Sequence, residues 1–157
     1  MSNALELDKT PKELRREREQ RITDAISLKM TDRVPVVCEI GYFAAKYAGI
    51  PCSAAYYDFD SWLAAYRKTL KDFQPDMAFT RPFTPGKALE LLDPKFMKWP
   101  GYGLAPNVGF QAIEIESLQD DEYDLFLNNP ADYFIRHHMP RLHGSMKWLS
   151  KLPPSYR

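Results

Sequence analysis

The chain has 157 residues, and its 21 lysines and arginines balance its 21 aspartates and glutamates, giving a formal net charge of zero. This balance argues against nucleic acid or an anionic membrane as the main partner, because binding to phosphates depends on clustered excess positive charge. With 45% hydrophobic and 27% charged residues, the composition is typical of one folded domain. The length excludes a complete (β/α)8 barrel, which needs roughly 250 residues.

The cysteines and the apolar segments indicate a reducing, cytoplasmic setting. Cys38 and Cys52 are too few for a disulfide framework and form no C-x-x-C pair. Residues 1–12 lack the apolar stretch of a signal peptide, and the longest charge-free run, 99–113, contains three glycines and two prolines. Neither segment is therefore expected to enter a membrane.

The first predicted element is a helix from Pro11 to about Lys29. Thr10-Pro11-Lys12-Glu13 has the pattern of a capping box with proline at the first helical position. The charges in the run 15–21 alternate in sign, so we interpret this run as a solvated face with i,i+4 ion pairs.

The next elements alternate between strand and helix, an order typical of a parallel α/β sheet. The predicted strands are Val34–Ile40 and Asp76–Thr80. A helix over Tyr42–Ala48, with Gly49 as its C-cap, and a longer helix with Asp60 as its N-cap are expected between them. Pro85-Gly86 leads into a further helix that ends at Leu91.

The pattern then changes to a hairpin or excursion from the main sheet, followed by helices. Residues 95–99 and 111–116 are strand-like, and a Gly/Pro-rich segment connects them. Asp120 is the expected cap of a helix over 121–127, and a helix opened by Pro130 is expected to break or kink at Pro140 before a last helix over 141–152. Residues 112–132 hold seven acids and no base, and residues 133–157 hold five bases and no acid. We expect the acidic segment to face the basic helix or a neighbouring subunit.

Candidate ligand-binding residues come from their position on the predicted sheet. In parallel α/β folds the ligand lies at the carboxyl ends of the strands. The first strand ends at Glu39, with Tyr42 close behind, and the second strand leads into Arg81. Asp76 is costly to bury unpaired in a short apolar strand, so it needs Lys or Arg partners, backbone donors or a functional cavity. The structural alternative is an aspartate that bonds a turn at the start of the strand.

The three histidines do not predict a metal site. His137 and His138 are adjacent on a helix and point about 100° apart, and His143 lies beyond Pro140. They are interpreted as surface or capping residues, and no metal ligand is assigned in this chain.

The sequence resembles the opening of the uroporphyrinogen decarboxylase superfamily. The likeness covers residues 13–37, including Asp32-Arg33-Val34-Pro35-Val36, and continues through residues 60–73, Pro75-Asp76-Met77, residues 95–106 and 121–130. The family fold is a TIM barrel, so the resemblance implies the amino-terminal part of a uroporphyrinogen decarboxylase-like (β/α)8 barrel, with flanking helices and a β-hairpin excursion. Its segments would be a leading helix (1–30), two βα units (31–92), the excursion (93–118) and helices (119–157).

The resemblance also implies roles for individual residues. Asp76 corresponds to the family's pyrrole-binding aspartate, so it is the expected catalytic residue. Glu39, Tyr42 and Arg81 are the expected substrate contacts from their positions near the strand ends and not from the resemblance. Ile40 and Ala44 stand where true decarboxylases carry the arginines that bind substrate carboxylates. This departure favours the cobamide-dependent methyltransferase and O-demethylase members of the superfamily.

The expected function is therefore methyl transfer by a larger enzyme, with this chain alone inactive. The alternatives are uroporphyrinogen decarboxylation and a non-catalytic binding module. The chain itself is expected to hold no cofactor, while zinc and a corrinoid would act in a full-length enzyme whose zinc ligands lie beyond Arg157. The expected partners are a small-molecule substrate or a corrinoid protein, and a second copy or a complementary barrel half.

Overall fold

In the computed structural model, which describes residues 9–79 and 83–153, the first helix α1 spans Pro11–Ile26. Its capping box is confirmed: the Thr10 side chain accepts a hydrogen bond from the Glu13 amide, and the Glu13 carboxylate accepts one from the Thr10 amide. The helix ends three residues before the predicted Lys29. Leu28 there adopts a left-handed backbone conformation with φ of 56°, which stops helix propagation.

The two predicted strands form a parallel pair, which confirms the α/β order. Strands β1 (Val37–Glu39) and β2 (Met77–Phe79) pair in register, Val37 with Met77 and Glu39 with Phe79. Three helices make the crossover between them: α2 (Phe43–Ala48), α3 (Ala54–Tyr57) and α4 (Phe59–Phe73). Strand β1 is shorter than predicted, and β2 begins one residue after the predicted start at Asp76. Thr80, the predicted last residue of β2, lies outside the described residues.

The predicted C-cap of α2 is confirmed, whereas the predicted N-cap of α4 is corrected. Gly49 takes the left-handed conformation with φ of 73° and ends α2, as the sequence predicts. The N-cap of α4 is Asp58, whose side chain accepts a hydrogen bond from the Ser61 amide, so the prediction of Asp60 was wrong. Asp60 lies in the first turn instead, where its negative charge interacts favourably with the positive end of the helix dipole.

The hydrophobic core lies between the crossover helices and one face of the β1–β2 sheet. Trp62 and Tyr66 of α4 pack against Ala44 and Ala45 of α2, and Trp99 enters the same cluster from the excursion. Cys38 and Ala78, the middle residues of the two strands, pack onto this cluster. The helices therefore cover one face of the sheet.

The predicted excursion is confirmed as a separate three-stranded sheet. After α5 (Gly86–Leu92), strands β3 (Met97–Pro100), β4 (Gly103–Leu104) and β5 (Gln111–Ala112) follow in the spatial order β4-β3-β5. Strand β3 is antiparallel to β5. The predicted strand over 111–116 is reduced to its first two residues.

The carboxyl-terminal part is helical, with irregular turns. Its elements are a 3-10 turn (Asp120–Glu122), α6 (Tyr123–Asn128), α7 (Pro130–Tyr133), a π turn (Phe134–His138), α8 (Met139–Leu142) and a 3-10 helix (Gly144–Lys151). Gln119, and not Asp120, is the cap of the first turn. Pro140 lies inside α8, and the wide π turn precedes it because proline cannot donate the backbone hydrogen bond of a regular helix.

Opposite charges hold this part together, as the charge pattern predicts. Arg141 forms two hydrogen bonds with the Glu122 carboxylate, at 2.5 and 2.6 Å, and Arg136 pairs with Asp132 at 3.2 Å. The acidic segment thus faces the basic helix within one chain.

Gly86 gives a test of the packing between α3 and α5. A methyl group at Gly86 would lie 2.6 Å from Cε1 of Tyr57, whose hydroxyl accepts from Trp99 Nε1 and donates to Glu90. Because these bonds fix the ring, we expect Gly86→Ala to lower the free energy of unfolding by about 1–2 kcal/mol. Gly109→Ala is the control, since its methyl would meet the Tyr42 ring at an ordinary 3.6 Å. Urea denaturation measures both, and equal stability of the two variants would contradict this packing.

Candidate functional site

The β1–β2 sheet has one covered face and one open face. Side chains alternate along a strand, so Val37, Glu39, Met77 and Phe79 share the face opposite to Cys38 and Ala78. All four are exposed in the structure, whereas Cys38 and Ala78 pack on the core. We refer to Val37, Glu39, Met77 and Phe79 as the open face.

Glu39 is the predicted site residue that lies on the open face. It is the last residue of β1, so its carboxylate stands at the carboxyl edge of the sheet, beside the apolar side chain of Phe79 on the paired position. This is the edge at which parallel α/β proteins bind ligands. The position agrees with the geometry that a substrate-binding role requires.

Tyr42 follows in the turn between β1 and α2. Its hydroxyl lies 2.7 Å from that of Tyr56, and the two rings stack with centroids 6.5 Å apart. Tyr56 is buried in the core, so it fixes the ring of the half-buried Tyr42. Tyr42 and Glu39 therefore belong to the same edge of the sheet. Arg81, the third predicted substrate contact, lies outside the described residues.

Asp76 is at the other end of the sheet. It directly precedes Met77 and so lies at the amino end of β2, about 10 Å from the level of Glu39 along the strands. By strand alternation it also points to the covered side. The structure thus separates Asp76 from Glu39 and Tyr42.

The Asp76 side chain is completely buried and accepts hydrogen bonds from three residues. Arg21 donates to Oδ1, Arg33 donates to both oxygens at 2.6 and 2.8 Å, and the Val36 amide donates to Oδ2 at 2.8 Å. Burial by itself raises the pKa of Asp76, but the bonds from Val36, Arg33 and Arg21 outweigh it and hold the pKa below its ordinary value. Asp76 is therefore a carboxylate bound entirely by protein groups.

Asp32 completes a network of two acids and two bases. It accepts from Nε and Nη2 of Arg21 at 2.6 and 2.7 Å. These bonds lower the pKa of Asp32 and raise that of Arg21. We call Arg21, Asp32, Arg33 and Asp76 the amino-end network. It joins α1 to the segment before β1 and to the start of β2.

The amino-end network was not predicted from the sequence. The alternating charges of the run 15–21 indicated a solvated face for Arg21, whereas its side chain is only 7% exposed. The pair Arg15–Glu19 of the same run does form as predicted, at 2.7 Å. The available signal was the spacing, because Arg21 follows Leu14 by seven residues and so lies on the same face of α1 as this half-buried leucine.

Beside the network, a groove of about 590 Å3 runs between α1 and the start of β2. Its floor is apolar, with Leu14, Ile22 and Met77, and Arg15 and Arg18 stand at its side. Arg18 donates to Gln74 at the end of α4. The groove lies near Asp76, but the carboxylate of Asp76 is already bound by the network.

The histidines take structural positions. His137 lies 3.2 Å from the Glu122 carboxylate and stacks on Tyr133, and His143 packs edge-on against Phe96. Within residues 9–79 and 83–153, no three His, Cys, Asp or Glu side chains come together as ligands for a metal ion.

Fold and site together define a mixed α/β protein with a small, half-covered parallel sheet. Comparisons with protein-family models, curated proteins and solved structures return no match. Among the described helices, none has the length and apolar character needed to cross a membrane.

Proposed function

We propose that this chain is the amino-terminal part of a uroporphyrinogen decarboxylase-like barrel enzyme that transfers methyl groups. The observation that carries the proposal is the β1–β2 pair: two parallel strands joined by a helical crossover, with helices on one face and an open face on the other. The first two units of a (β/α)8 barrel have this form, since helices cover the outside of the barrel and alternate side chains point inward.

The open face gives Glu39 its proposed role. In a barrel this face would line the interior, and Glu39 stands at the carboxyl edge, where such enzymes bind their substrates. With Tyr42 fixed by Tyr56 at the same edge, the chain supplies one carboxylate and one hydroxyl as proposed substrate contacts. Arg81 remains a proposed contact on the grounds of sequence position.

Asp76 is harder to place in the reaction. A catalytic aspartate needs a lone pair or a proton available to the substrate, and the partners of Asp76 are Arg21, Arg33 and the Val36 amide. Its catalytic role stays a prediction, and the stability and activity of Asp76→Asn separate that role from a purely structural one.

The choice of methyl transfer over decarboxylation is supported by Ile40 and Ala44. These residues stand where decarboxylases of the superfamily carry arginines, and both are in the hydrophobic core, 6% and 0% exposed. An arginine at either position would bury an unpaired charge at high cost. The surroundings of these two positions therefore match a substrate that is not recognised through many carboxylates.

Among residues 9–79 and 83–153, no three His, Cys, Asp or Glu side chains form a zinc-ligand set. No step of the proposed reaction is derived through a metal. The chain's own residues are proposed to bind and orient the substrate.

A methyl-transfer assay tests the proposal. The complete product of the gene is incubated with methylcobalamin and a thiol, and loss of the methyl–cobalt bond is followed by visible absorbance. We expect turnover, and we expect Glu39→Gln to lower kcat/KM at least about tenfold, because a substrate contact is lost. Glu114→Gln, an exposed acid without a partner in the described structure, is the control.

The same assay separates the alternatives. Residues 1–157 alone should show no turnover, because a barrel site is built from the loops after several strands. Conversion of uroporphyrinogen in place of methyl transfer would favour the decarboxylase, and lack of both activities in the complete product would favour a binding module.

A further inference from the structure

The groove between α1 and the start of β2 has the size and lining of a small-molecule site. Its volume is about 590 Å3, within the roughly 300–1,000 Å3 of most ligand pockets, which are lined mainly by apolar side chains. Leu14, Ile22 and Met77 form its floor. The groove lies at the amino end of β2, whereas Glu39 and Tyr42 belong to the carboxyl edge of the sheet. It is therefore separate from the proposed substrate contacts.

Side-chain hydrogen bonds fix the two walls of the groove relative to each other. Arg21 of α1 donates to the buried carboxylate of Asp76, which directly precedes β2. One turn earlier on the helix, Arg18 donates to Oε1 of Gln74 at 2.5 Å. Because both bonds join α1 to the segment that leads into β2, the groove exists without a ligand, and binding does not require its walls to become ordered.

The charges of the groove favour an anionic ligand. Arg15 and Arg18 lie three positions apart on α1, and both line the groove. Of the acids that line it, Asp76 is neutralised by the amino-end network, and Glu19 accepts a hydrogen bond from Nε of Arg15 at 2.7 Å. Outside the network, the lining therefore has an excess of one positive charge.

Arg15 is the group best placed to bind a carboxylate. Within residues 9–79 and 83–153, its Nη1 and Nη2 make no hydrogen bond, because the pair with Glu19 uses only Nε. The planar guanidinium can donate from both nitrogens to the two oxygens of one carboxylate. Arg18 adds a second positive charge one turn further along the helix.

We propose that the groove binds a small organic carboxylate with an extended apolar chain. The carboxylate lies on Nη1 and Nη2 of Arg15, and the chain lies along the apolar floor. The lining residues of α1 run from Pro11 to Thr23, about 18 Å along the helix axis, which is long enough for an extended chain. A cationic amphiphile would be repelled by the two guanidinium groups, and a neutral one would not form a bond between opposite charges with them. The inference concerns a binding site only and does not depend on the proposed methyl transfer.

Titration of the 157-residue protein with octanoate tests the inference, and amide proton–nitrogen correlation spectra report which residues respond. We expect saturable shifts in α1 and at Met77, with a dissociation constant below about 1 mM. Octanol and octyltrimethylammonium have the same chain with a neutral and a positive head group. Both should bind at least about fivefold more weakly, because only the carboxylate offers two anionic oxygens to Arg15.

Double substitutions in α1 separate the groove from the rest of the helix. Arg15→Gln/Arg18→Gln should raise the dissociation constant of octanoate at least about tenfold. Lys12→Gln/Arg16→Gln is the matched control and should leave it unchanged, because it removes the same charge from exposed positions that do not line the groove. Arg15→Gln alone, at a side chain that is 79% exposed, keeps the bond between Arg18 and Gln74 and measures the loss if the double variant does not fold.

Ile22→Ser tests the apolar floor separately from the charges. It should weaken octanoate binding at least about threefold, because the chain loses apolar contact. Ile26→Ser, at a 78% exposed position one turn further along α1, should have no effect. The spectrum of each variant without ligand reports whether it is folded.

Three results would overturn the inference. The first is the absence of saturable shifts up to about 5 mM octanoate, or shifts confined to other elements. The second is equal binding of the three head groups, which would show contact with apolar surface alone. The third is an equal loss of affinity in the two double variants, which would mean that the overall charge of the helix, and not the groove, attracts the anion.

Discussion

Replacing Asp76 by asparagine should lower the free energy of unfolding by about 3–5 kcal/mol, the cost of breaking a buried ion pair from one side. The carboxylate accepts four hydrogen bonds, from Arg21, Arg33 and the Val36 amide. An asparagine side chain has one oxygen, and its amide group would point a donor at other donors. Among the described residues, Arg21, whose side chain is 7% exposed, would then keep only Asp32 as an acidic partner.

Urea denaturation of Asp76→Asn measures the loss, with Glu19→Gln as the control on the same helix. Glu19 pairs with Arg15 on the exposed side of α1, where solvent screens the pair and it contributes little to stability. If Asp76→Asn kept its stability and the complete gene product lost activity, Asp76 would be a functional carboxylate, as the resemblance implies. A large loss of stability with unchanged activity per folded molecule would make it structural.

The amino-end network shows where sequence reasoning reached its limit. Asp76 was recognised as a carboxylate that needs a partner or a function, but its partners Arg21 and Arg33 are 55 and 43 positions away in the chain. Local periodicity carries no direct information on such contacts. The order of elements and the parallel pairing of β1 with β2 were predictable, because each depends on patterns within a few residues.

The positions of Glu39 and Asp76 give the same lesson at the level of the site. Both residues were expected to lie beside the ligand, because each is at an end of a predicted strand. In a parallel pair, however, the residue before one strand and the last residue of its neighbour lie at opposite edges. The parallel pairing that the sequence predicts therefore groups Glu39 with Tyr42 and places Asp76 at the opposite edge of the sheet.

The irregular carboxyl-terminal helices were the least predictable part. Pro140 indicated a break, yet the chain absorbs it with a π turn over Phe134–His138 and continues as α8. Tertiary contacts hold this region in place, since Arg141 binds both Glu122 and the carbonyl of Ser117. The segregation of charge predicted that such pairs form, but not which residues they join.

The Arg141–Glu122 pair should make the stability of the protein depend on acid pH. Hydrogen bonds from the Arg141 guanidinium, against the opposing effect of burial, lower the pKa of Glu122 from 4.5 to about 2. A carboxyl whose pKa is lower in the folded state stabilises the fold fully above its unfolded pKa, and this contribution is lost as the pH falls towards the folded pKa. The stabilisation by this pair should therefore be complete above about pH 4.5 and decline towards pH 2.

We expect Arg141→Met to lower the free energy of unfolding by about 2–3 kcal/mol at pH 6, because it removes two charge-assisted bonds and leaves the Glu122 carboxylate, 12% exposed, without its main partner. His137, 3.2 Å from the same carboxylate, remains as a second partner and limits the loss. Urea denaturation from pH 6 to pH 3 should show that the difference in unfolding free energy between the variant and the unchanged chain shrinks as the pH falls, because protonated Glu122 is no longer stabilised by the charge of Arg141.

Glu122→Gln/Arg141→Met completes a double-mutant cycle, whose coupling energy should fall with the pH in the same way. A difference that stayed constant from pH 6 to pH 3 would mean that Arg141 stabilises the fold through its packing and its bond to Ser117, and not through its charge on Glu122.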